Sequence, residues 1–208
     1  MDKSKIATGT FNKYAQEYQA KFMDTSMYHE SFNLFCKCVN QDASVLDLAC
    51  GPGNIAKYLL DQRPDLRITG IDLAPNMIRL AKANNPSASF IKMDCRKINQ
   101  LDQKFDAVMC GFCLPYLSMQ EMESLVTAVK DKLPPGGAFY VSTMEDDYSN
   151  SGYRKGSYGD EIFMHYFREH DIAFAMKKNN FIISDISRVV SGEGDAEVTD
   201  LIILALKQ

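Results

Sequence analysis

The residues best suited to do chemistry lie in a glycine-rich segment that is followed by an acid. Gly51-Pro52-Gly53-Asn54-Ile55-Ala56 fits the pattern G-x-G-x-x-A, and Asp72 follows Gly51 by 21 residues. Glycine has no Cβ, so the backbone can turn sharply there and approach a ligand closely. A carboxylate at Asp72 can accept hydrogen bonds from both hydroxyl groups of a ribose. The spacing therefore predicts a site for a ligand that contains a nucleoside.

Two further acids narrow the choice of ligand. Asp47 lies within the apolar run before the glycines, and Asp94 ends a later run, 89–94. A buried carboxylate is costly without a partner, and a negative charge at Asp47 would repel a pyrophosphate but attract an ammonium group. Asp94 is placed to accept a hydrogen bond from an adenine amino group. The three acids favour S-adenosylmethionine, whereas the glycines and Asp72 alone fit an NAD site equally well.

The chain around these acids alternates between short apolar runs and amphipathic segments. This alternation predicts strands and helices in turn, and near-continuous apolar strands are typical of a parallel sheet covered on both faces. The predicted strands are 44–49, 68–73, 89–94, 105–110 and 138–143, and the predicted helices are 54–60, 75–84 and 118–133. The three acids then lie within or at the end of the first three strands.

The C-terminal part follows a different pattern. A helix at about 169–180 leads to strands at about 181–190 and 198–206, joined by a turn with Gly192 and Gly194. Two strands that are joined directly must be antiparallel, because a parallel pair needs a crossover. The expected fold class is therefore α/β, with a parallel sheet closed at one edge by an antiparallel hairpin.

Two segments outside this alternation are expected to cover the site. Residues 1–40 are predicted to form a helical cap on the core, 41–208, within a single domain, and 10–39 has helical spacing. Aromatic and small residues line one face of the first helix: Phe11, Tyr14, Ala15, Tyr18 and Phe22. A polar loop at about 145–160, which carries Tyr148, Tyr153 and Tyr158, is predicted to form part of a lid that sets specificity.

Composition bounds the class of protein. The chain has 208 residues, of which 46% are hydrophobic and 24% charged, as expected for one globular domain. Its formal net charge is −4, and no run of lysine or arginine forms a basic stripe. Negative charge is repelled by phosphate backbones, so a nucleic-acid partner is disfavoured and a small-molecule partner favoured.

Targeting signals and cysteines point to a reducing compartment. The first residues lack the apolar core of a signal peptide, and no apolar stretch reaches the roughly 18 residues that a membrane span needs. We therefore expect a cytoplasmic protein without membrane contact, whose six cysteines are reduced thiols. The three histidines do not complete a zinc pattern with the cysteine pairs, so no metal is expected.

The motifs resemble those of class I S-adenosylmethionine-dependent methyltransferases, among them the small-molecule, type 11-like group. The segments that carry the resemblance, in the family's order and spacing, are Val45–Gly53, Ile71–Ile78, Met93–Cys95, Phe105–Val108 and Leu133–Gly137. Ala74 stands where the second motif more often has serine. The resemblance implies a Rossmann-like, doubly wound sheet of seven strands in the order 3-2-1-4-5-7-6, with strand 7 antiparallel.

The resemblance also implies a set of contacts to S-adenosylmethionine. The expected contacts to the methionine end come from Asp47, Ala49, Gly51 and Gly53. The expected contacts to the ribose and adenine come from Asp72, Leu73, Met77, Asp94 and Cys95. Cys110 and Phe112 are expected to lie near the sulfonium and the methyl group. Tyr14 and Tyr18 resemble the Y-A-x-x-Y of a helix that covers the cofactor, and a cation is attracted to an aromatic face. Structural roles remain as alternatives. Asp72 and Asp94 could be helix N-caps, and the two tyrosines could serve only in packing.

No catalytic residue stands out. Methyl transfer needs a general base only where the acceptor is a poorly ionised O–H, N–H or C–H group. His165 lies ahead of the last helix, and Tyr28 and His29 lie in the helical cap, so these three are the candidates. A structural role competes with catalysis for each histidine.

The acceptor is expected to be a small molecule. Cys110-Gly111-Phe112-Cys113 follows the fourth predicted strand, where methyltransferases that act on adenine amines or glutamine side chains have an (N/D/S)-P-P-(Y/F) sequence. The absence of that sequence argues against methylation of a base flipped out of a nucleic acid. Two alternatives remain: an NAD-dependent Rossmann oxidoreductase, and a protein that binds S-adenosylmethionine without catalysis.

Overall fold

The computed structural model describes residues 3–156, 159–192 and 197–208. The strands are β1 Ser44–Leu48, β2 Arg67–Asp72, β3 Ser89–Lys92, β4 Ala107–Gly111, β5 Ala138–Met144, β6 Gly152–Lys155, β7 Glu161–Met164, β8 Phe181–Ser191 and β9 Val198–Lys207. The helices are α1 Lys3–Lys13, α2 Ala15–Phe22, α3 His29–Lys37, α4 Asn54–Gln62, α5 Pro75–Asn84, α6 Met119–Lys132 and α7 Glu169–Lys178. Within these ranges, seven strands form one sheet in the order β3-β2-β1-β4-β5-β9-β8, and β6 pairs with β7.

The central strand β1 shows why the sheet is buried on both faces. Val45, Leu46 and Leu48 are fully buried. Successive side chains of a strand point to opposite faces. Leu46 and Leu48 pack in the cluster that contains α6 and α7 residues, and Val45 packs in the cluster on the side of α3 and α4. A strand with buried apolar side chains on both faces therefore requires helices on both faces of the sheet.

The predicted sheet order is confirmed. β9 and β8 take the places of the predicted strands 7 and 6, and β9 runs antiparallel to β5, with Ala138 opposite Leu206. β8 in turn pairs antiparallel with β9, so the directly joined strands form the expected hairpin. The four strands β1, β2, β3 and β4 are parallel, which brings their carboxyl ends to one edge of the sheet.

The helical run predicted for 10–39 differs from the structure in its bounds and continuity. α1 begins before residue 10, and Tyr14 (φ −106°, ψ 30°) separates it from α2. At this break the Asn12 carbonyl accepts a hydrogen bond from Asn76 Nδ2 at 2.8 Å, and Asn12 Oδ1 accepts one from the Asn76 backbone N–H at 2.9 Å. A tertiary contact with α5 therefore engages the carbonyl of Asn12 where α1 ends.

The segment 145–160, predicted as a polar loop, instead contributes a strand. It contains a 3-10 turn and then β6, which pairs antiparallel with β7. This hairpin packs against α1, and Lys3 Nζ lies 3.3 Å from the centroid of the Phe163 ring. Tyr158 and Gly194, expected in the lid and in the last turn, lie outside the described residues.

Gly53 generates a stability prediction because both its backbone and its surroundings exclude a side chain. Its φ is +77°, and a Cβ there would overlap Asn85 Nδ2 and lie 3.2 Å from the Cα of Ala81. We expect Gly53→Ala to lower the free energy of unfolding in urea by about 2–5 kcal/mol, from left-handed strain and overpacking together.

The matched control is Gly136→Ala. Gly136 has a similar φ of +79°, but a Cβ there would meet no atom within 4 Å. We expect it to lose only the backbone contribution, about 1–2 kcal/mol. If the free energy of unfolding fell equally in the two variants, the close packing of α4 on α5 at Gly53 would contribute nothing to stability.

Candidate functional site

The turn after β1 is built from left-handed backbone. Ala49, Gly51 and Gly53 have φ of 53°, 53° and 77°. Ala49 is the exception among them, since a residue with a Cβ loses roughly 1–2 kcal/mol in this conformation. The Cys50 N–H donates to the Ile71 carbonyl at 2.9 Å, which ties the turn to β2. Strained backbone that the surrounding structure holds in place is typical of ligand-binding turns.

Asp72, at the end of β2, fastens this turn. Its Oδ2 accepts a hydrogen bond from the Gly51 N–H at 3.0 Å, and its Oδ1 accepts one from the Ala74 N–H at 2.7 Å. Burial raises the pKa of Asp72, and these backbone hydrogen bonds oppose the rise. Each carboxylate oxygen keeps acceptor capacity, because an ionised carboxylate offers about four lone-pair sites.

Asp47 lies behind the turn, and no cation among the described residues affects its pKa. It is 1% exposed, and its Oδ2 has no hydrogen-bond partner. Burial, and to a smaller extent the charge of Asp72, raises its pKa to about 8. A buried acid of this kind is expensive for the fold unless it meets a cation or a donor. The arrangement suits a positively charged group held at the turn.

A cavity opens in front of this turn at the carboxyl edge of the sheet. It encloses about 800 Å³, including its open mouth. The predicted residues that line it are Tyr18, Ala49, Gly51, Asp72, Leu73, Met77, Asp94, Cys95 and Phe112. The structure therefore brings together side chains and backbone from α2, the turn after β1, and the ends of β2, β3 and β4.

Four predicted residues do not line the cavity. Asp47 and Cys110 are buried within β1 and β4. Gly53 starts α4. Tyr14 sits at the break between α1 and α2, with Lys13 Nζ at 4.5 Å from its ring centroid. Tyr14 therefore lies at a break in the helix that the aromatic stripe assumed to be continuous.

Arg96 is a cavity residue that the motifs did not predict. Its Nη2 lies 2.7 Å from Asp94 Oδ2, and its Nη1 lies 2.7 Å from Glu121 Oε1. Asp94 also accepts a hydrogen bond from the Arg96 backbone N–H and so caps a 3-10 turn. Burial raises the pKa of Asp94, but the bonds from Arg96 outweigh it and the pKa is below its ordinary value. In this structure Asp94 therefore has the N-capping role that the sequence left open as an alternative.

Two thiols line the wall near Asp94, and a third lies behind them. The Sγ atoms of the lining residues Cys95 and Cys113 are 3.4 Å apart, and the buried Cys110 contacts Cys113. The hydrogen bond between Cys95 and Cys113, together with burial, raises the pKa of Cys95 well above its ordinary value, so the thiol stays neutral. The cavity wall here is uncharged and polarizable. Across residues 3–156, 159–192 and 197–208, no cluster of His, Cys, Asp or Glu has a metal-binding arrangement.

Aromatic rings form the outer wall. The Phe11 ring lies 5.5 Å from that of Tyr18 and 5.1 Å from that of Tyr116, measured between centroids. Phe112 has φ 56°, and its N–H donates to the Ser142 carbonyl at 3.1 Å. Tyr116 was not singled out from the sequence, because a lone tyrosine after a proline carries no periodic signal. Phe11 was singled out, because it belongs to the aromatic face of the first predicted helix.

None of the three catalytic candidates lines the cavity. His165 is buried between Tyr148 and Phe163, its Nδ1 has no partner, and burial followed by the charge of Lys3 lowers its pKa. His29 stacks on Tyr58 with 4.0 Å between centroids. Tyr28, by contrast, lies one ring from the cavity, 5.2 Å from the centroid of Phe112.

Comparison with known proteins gives consistent results. Residues 45–137 match the family described as a methyltransferase domain. A malonyl-[acyl-carrier protein] O-methyltransferase of Acetivibrio thermocellus is 34% identical over 101 residues, 48% of this chain and 35% of that protein. A DhpI–SAH complex superposes with a TM-score of 0.76 at 18% identity, covering 99% of this chain and 97% of the other.

A second similar structure has two bound molecules. It is the 1,6-didemethyltoxoflavin-N1-methyltransferase of Burkholderia thailandensis with bound 1,6-didemethyltoxoflavin and S-adenosylhomocysteine. It has a TM-score of 0.73 at 21% identity and covers 98% of this chain and 88% of the other. At these identities the likeness shows the fold.

The fold that the motifs indicate is thereby confirmed. Residues 45–137 match the methyltransferase-domain family, and the described residues have the Rossmann-like fold of these solved structures. The matched part spans less than two thirds of the first curated relatives, 29% to 61% of their length. No helix among the described residues has the length and apolar character to cross a membrane.

The buried acid behind the turn predicts an unusual pH dependence of stability. The pKa of Asp47 is raised from 3.8 to about 8 in the folded protein. Its contribution to stability is therefore complete below about pH 4 and is lost as the pH rises through about 8. We expect Asp47→Asn to melt at a higher temperature than the wild type, by a margin that grows between about pH 5 and about pH 9.

Asp61→Asn is the control for this measurement. Asp61 is exposed and pairs with Lys57 at 3.2 Å on the surface of α4. Its melting temperature should follow that of the wild type across the same pH range, since exposed pairs contribute about 0–1 kcal/mol. A margin for Asp47→Asn that stays constant with pH would contradict the raised pKa.

Proposed function

We propose that this protein binds S-adenosylmethionine in the cavity and transfers its methyl group to a small-molecule acceptor. The observation that carries the proposal is the unpaired, buried Asp47 behind a left-handed turn, at the edge where Asp72 and Asp94 also face the cavity. An ammonium group at the turn would supply the cation that Asp47 lacks. A pyrophosphate at the same place would supply no cation to Asp47 and would meet the negative charge of Asp72, which disfavours NAD.

The residues of the cavity fit the parts of this cofactor. Asp47 would act on the ammonium from behind the turn, by charge or through water, and the backbone at Ala49 and Gly51 would face the methionine end. Asp72 has acceptor capacity left for the ribose diol. Leu73 and Met77 would enclose the adenine between them.

The edge of the adenine would meet Asp94, Cys95 and Arg96 together. Both oxygens of Asp94 already accept from Arg96 Nε, each at 3.0 Å. An adenine amino group would therefore share Asp94 with the guanidinium rather than have it alone. Arg96 is itself held by Glu121, which fixes where the shared carboxylate points.

The reaction asks the protein chiefly to orient and to exclude water. S-adenosylmethionine supplies a methyl group on a cationic sulfur, so an in-line nucleophile suffices. Phe11, Tyr18, Phe112 and Tyr116 line the cavity and keep water from the reacting atoms. Their faces also favour a sulfonium, since cations are attracted to aromatic rings.

A small-molecule acceptor is supported by one solved structure and by the chain's own sequence. That structure, of a 1,6-didemethyltoxoflavin-N1-methyltransferase, holds 1,6-didemethyltoxoflavin, whereas the malonyl-[acyl-carrier protein] O-methyltransferase is named for a group carried on a protein. Cys110-Gly111-Phe112-Cys113 occupies the end of β4 without the polar and proline residues of the amine-methylating enzymes. The acidic net charge of −4 opposes a nucleic-acid substrate. We place the activity in the cytoplasm on the strength of the reduced cysteines.

Calorimetric titration separates this function from its main alternative. We expect S-adenosylhomocysteine to bind at micromolar concentration and NADH not to bind. Asp72→Ala should weaken S-adenosylhomocysteine binding by about 10-fold to 100-fold, because it removes hydrogen bonds worth about 1–3 kcal/mol.

Asp61→Ala serves as the control, and melting temperatures show whether each variant is folded. The control should bind S-adenosylhomocysteine as the wild type does, because Asp61 is exposed on the outer face of α4. Tight binding of NADH, or wild-type affinity in Asp72→Ala, would contradict the proposed cofactor.

A further inference from the structure

A second acid, Asp200, is buried near the same edge of the sheet and has an unusual partner. Tyr28 Oη donates a hydrogen bond to Asp200 Oδ2 at 2.6 Å. Asp200 is 5% exposed, and it lies on β9 opposite Met144, the last residue of β5. No lysine, arginine or histidine among the described residues pairs with it. A buried carboxylate that has a hydroxyl in place of a cation costs stability, which suggests a chemical use.

The pair borders the end of the cavity where β4 finishes. The Tyr28 ring packs edge-on against Phe112, which lines the cavity, with 5.2 Å between centroids. Tyr18, another lining residue, lies close enough to affect the pKa of Tyr28. Tyr28 therefore lies at the border of the cavity, next to the lining residues Phe112 and Tyr18.

The orientation of Tyr28 is fixed by a network of its own. The Tyr28 carbonyl accepts a hydrogen bond from Ser31 Oγ at 2.8 Å, and Ser31 Oγ lies 3.0 Å from Tyr140 Oη. Ser31 and Tyr140 are both buried. This network anchors the start of α3 to β5, so the Tyr28 hydroxyl is held in place before any acceptor arrives.

We propose that Tyr28 and Asp200 form the proton-accepting end of the acceptor pocket, and that the acceptor reacts through a hydroxyl or an amine group. The inference rests on the methyltransferase function proposed above. Because the Tyr28 hydroxyl proton is committed to Asp200, its oxygen can only accept a hydrogen bond from a substrate. An O–H or N–H group satisfies it, whereas a carboxylate or an ether does not.

The proton and electron balance of the step is simple. The acceptor oxygen or nitrogen forms a bond to the methyl carbon, the carbon–sulfur bond breaks, and its electron pair stays on sulfur. The acceptor's proton passes to Tyr28 Oη while the Tyr28 proton passes to Asp200 Oδ2. Asp200 then returns the proton to water. Tyr28 is thus the catalytic residue, and Asp200 acts through it.

The charges around the pair suit this role. Burial raises the pKa of Asp200, so its carboxylate holds a proton more readily than an exposed one. The titratable groups that affect the pKa of Tyr28 besides Asp200 are Tyr140 and Tyr18, and burial raises the pKa of Tyr140 above its ordinary value. No nearby cation among the described residues competes for the carboxylate.

Phenol and anisole provide a matched pair of probes. Anisole is phenol with the hydroxyl proton replaced by a methyl group, so it keeps the ring and the oxygen but has no donor. In the presence of saturating S-adenosylhomocysteine, ligand-observed NMR should show that the wild type prefers phenol by about 10-fold or more, as a site built around an unpaired acceptor does. Tyr28→Phe should bind both probes alike.

Asp200→Asn separates recognition from proton transfer. The amide oxygen can still accept from Tyr28, so the preference for phenol should persist. Methyl transfer from labelled S-adenosylmethionine to phenol should fall by about 100-fold or more, with loss of the acid limb of the pH–rate profile. Tyr58→Phe is the control, since its hydroxyl bonds to Asn33 at the exposed side of α4, and should match the wild type.

Failure of the inference can be told from failure of the proposed function. All variants should bind S-adenosylhomocysteine within about threefold of the wild type, which also shows that they are folded. If the wild type binds it but does not discriminate phenol from anisole, or if Asp200→Asn keeps the wild-type rate and pH profile, the inference is overturned. If the wild type does not bind it, the proposed function itself fails.

Discussion

The hydrogen bond from the Gly51 N–H to the carboxylate of Asp72 joins the turn after β1 to the end of β2, and the site is built around it. The bond requires left-handed backbone at Ala49 and Gly51, and this conformation directs the turn over the buried Asp47. Parallel pairing of β1 with β2 and β4 fixes the position of the turn. The parallel sheet thus holds the strained turn in a fixed position, where it forms one edge of the cavity.

The three acids at this edge share a residue type but differ in environment. Asp47 has an oxygen without any partner and a raised pKa, Asp72 is balanced by backbone N–H groups, and Asp94 is paired with Arg96. An unpaired acid can bind a cation, a backbone-held acid can share lone pairs with hydroxyls, and a salt-bridged acid can present a fixed acceptor. These differences match the ammonium, ribose and adenine parts of one cofactor, which is why the cofactor is better defined than the acceptor.

Local patterns were sufficient to predict the sheet but not the surroundings of the site. Apolar runs such as 44–49 predicted the strands, and the direct connection near Gly192 predicted the antiparallel hairpin. The strand β6 was missed because Gly152–Lys155 is polar and pairs only with β7. The break at Tyr14 depends on Asn76, which is distant in sequence.

The same limit applies to the residues that were missed at the site. Arg96 pairs with Glu121, and Asp200 accepts a hydrogen bond from Tyr28, which is 172 residues away in the chain. A local sequence pattern does not predict either contact. Of the predicted cofactor contacts, nine line the cavity, whereas Tyr14, Asp47, Gly53 and Cys110 do not. Their neighbours in sequence follow the family pattern, but a helix break and a strand face decide where each side chain lies.

The charge state of Asp47 offers the most direct test of how the turn binds its ligand. With a pKa of about 8, this carboxyl is mostly protonated at neutral pH, and an ammonium group held at the turn would ionise it. Calorimetric titration with S-adenosylhomocysteine in buffers of different ionisation enthalpy measures the protons released on binding. We expect close to one proton released at about pH 7 by the wild type and none by Asp47→Asn. Binding to the wild type without proton release would contradict the assignment of Asp47 to the ammonium group.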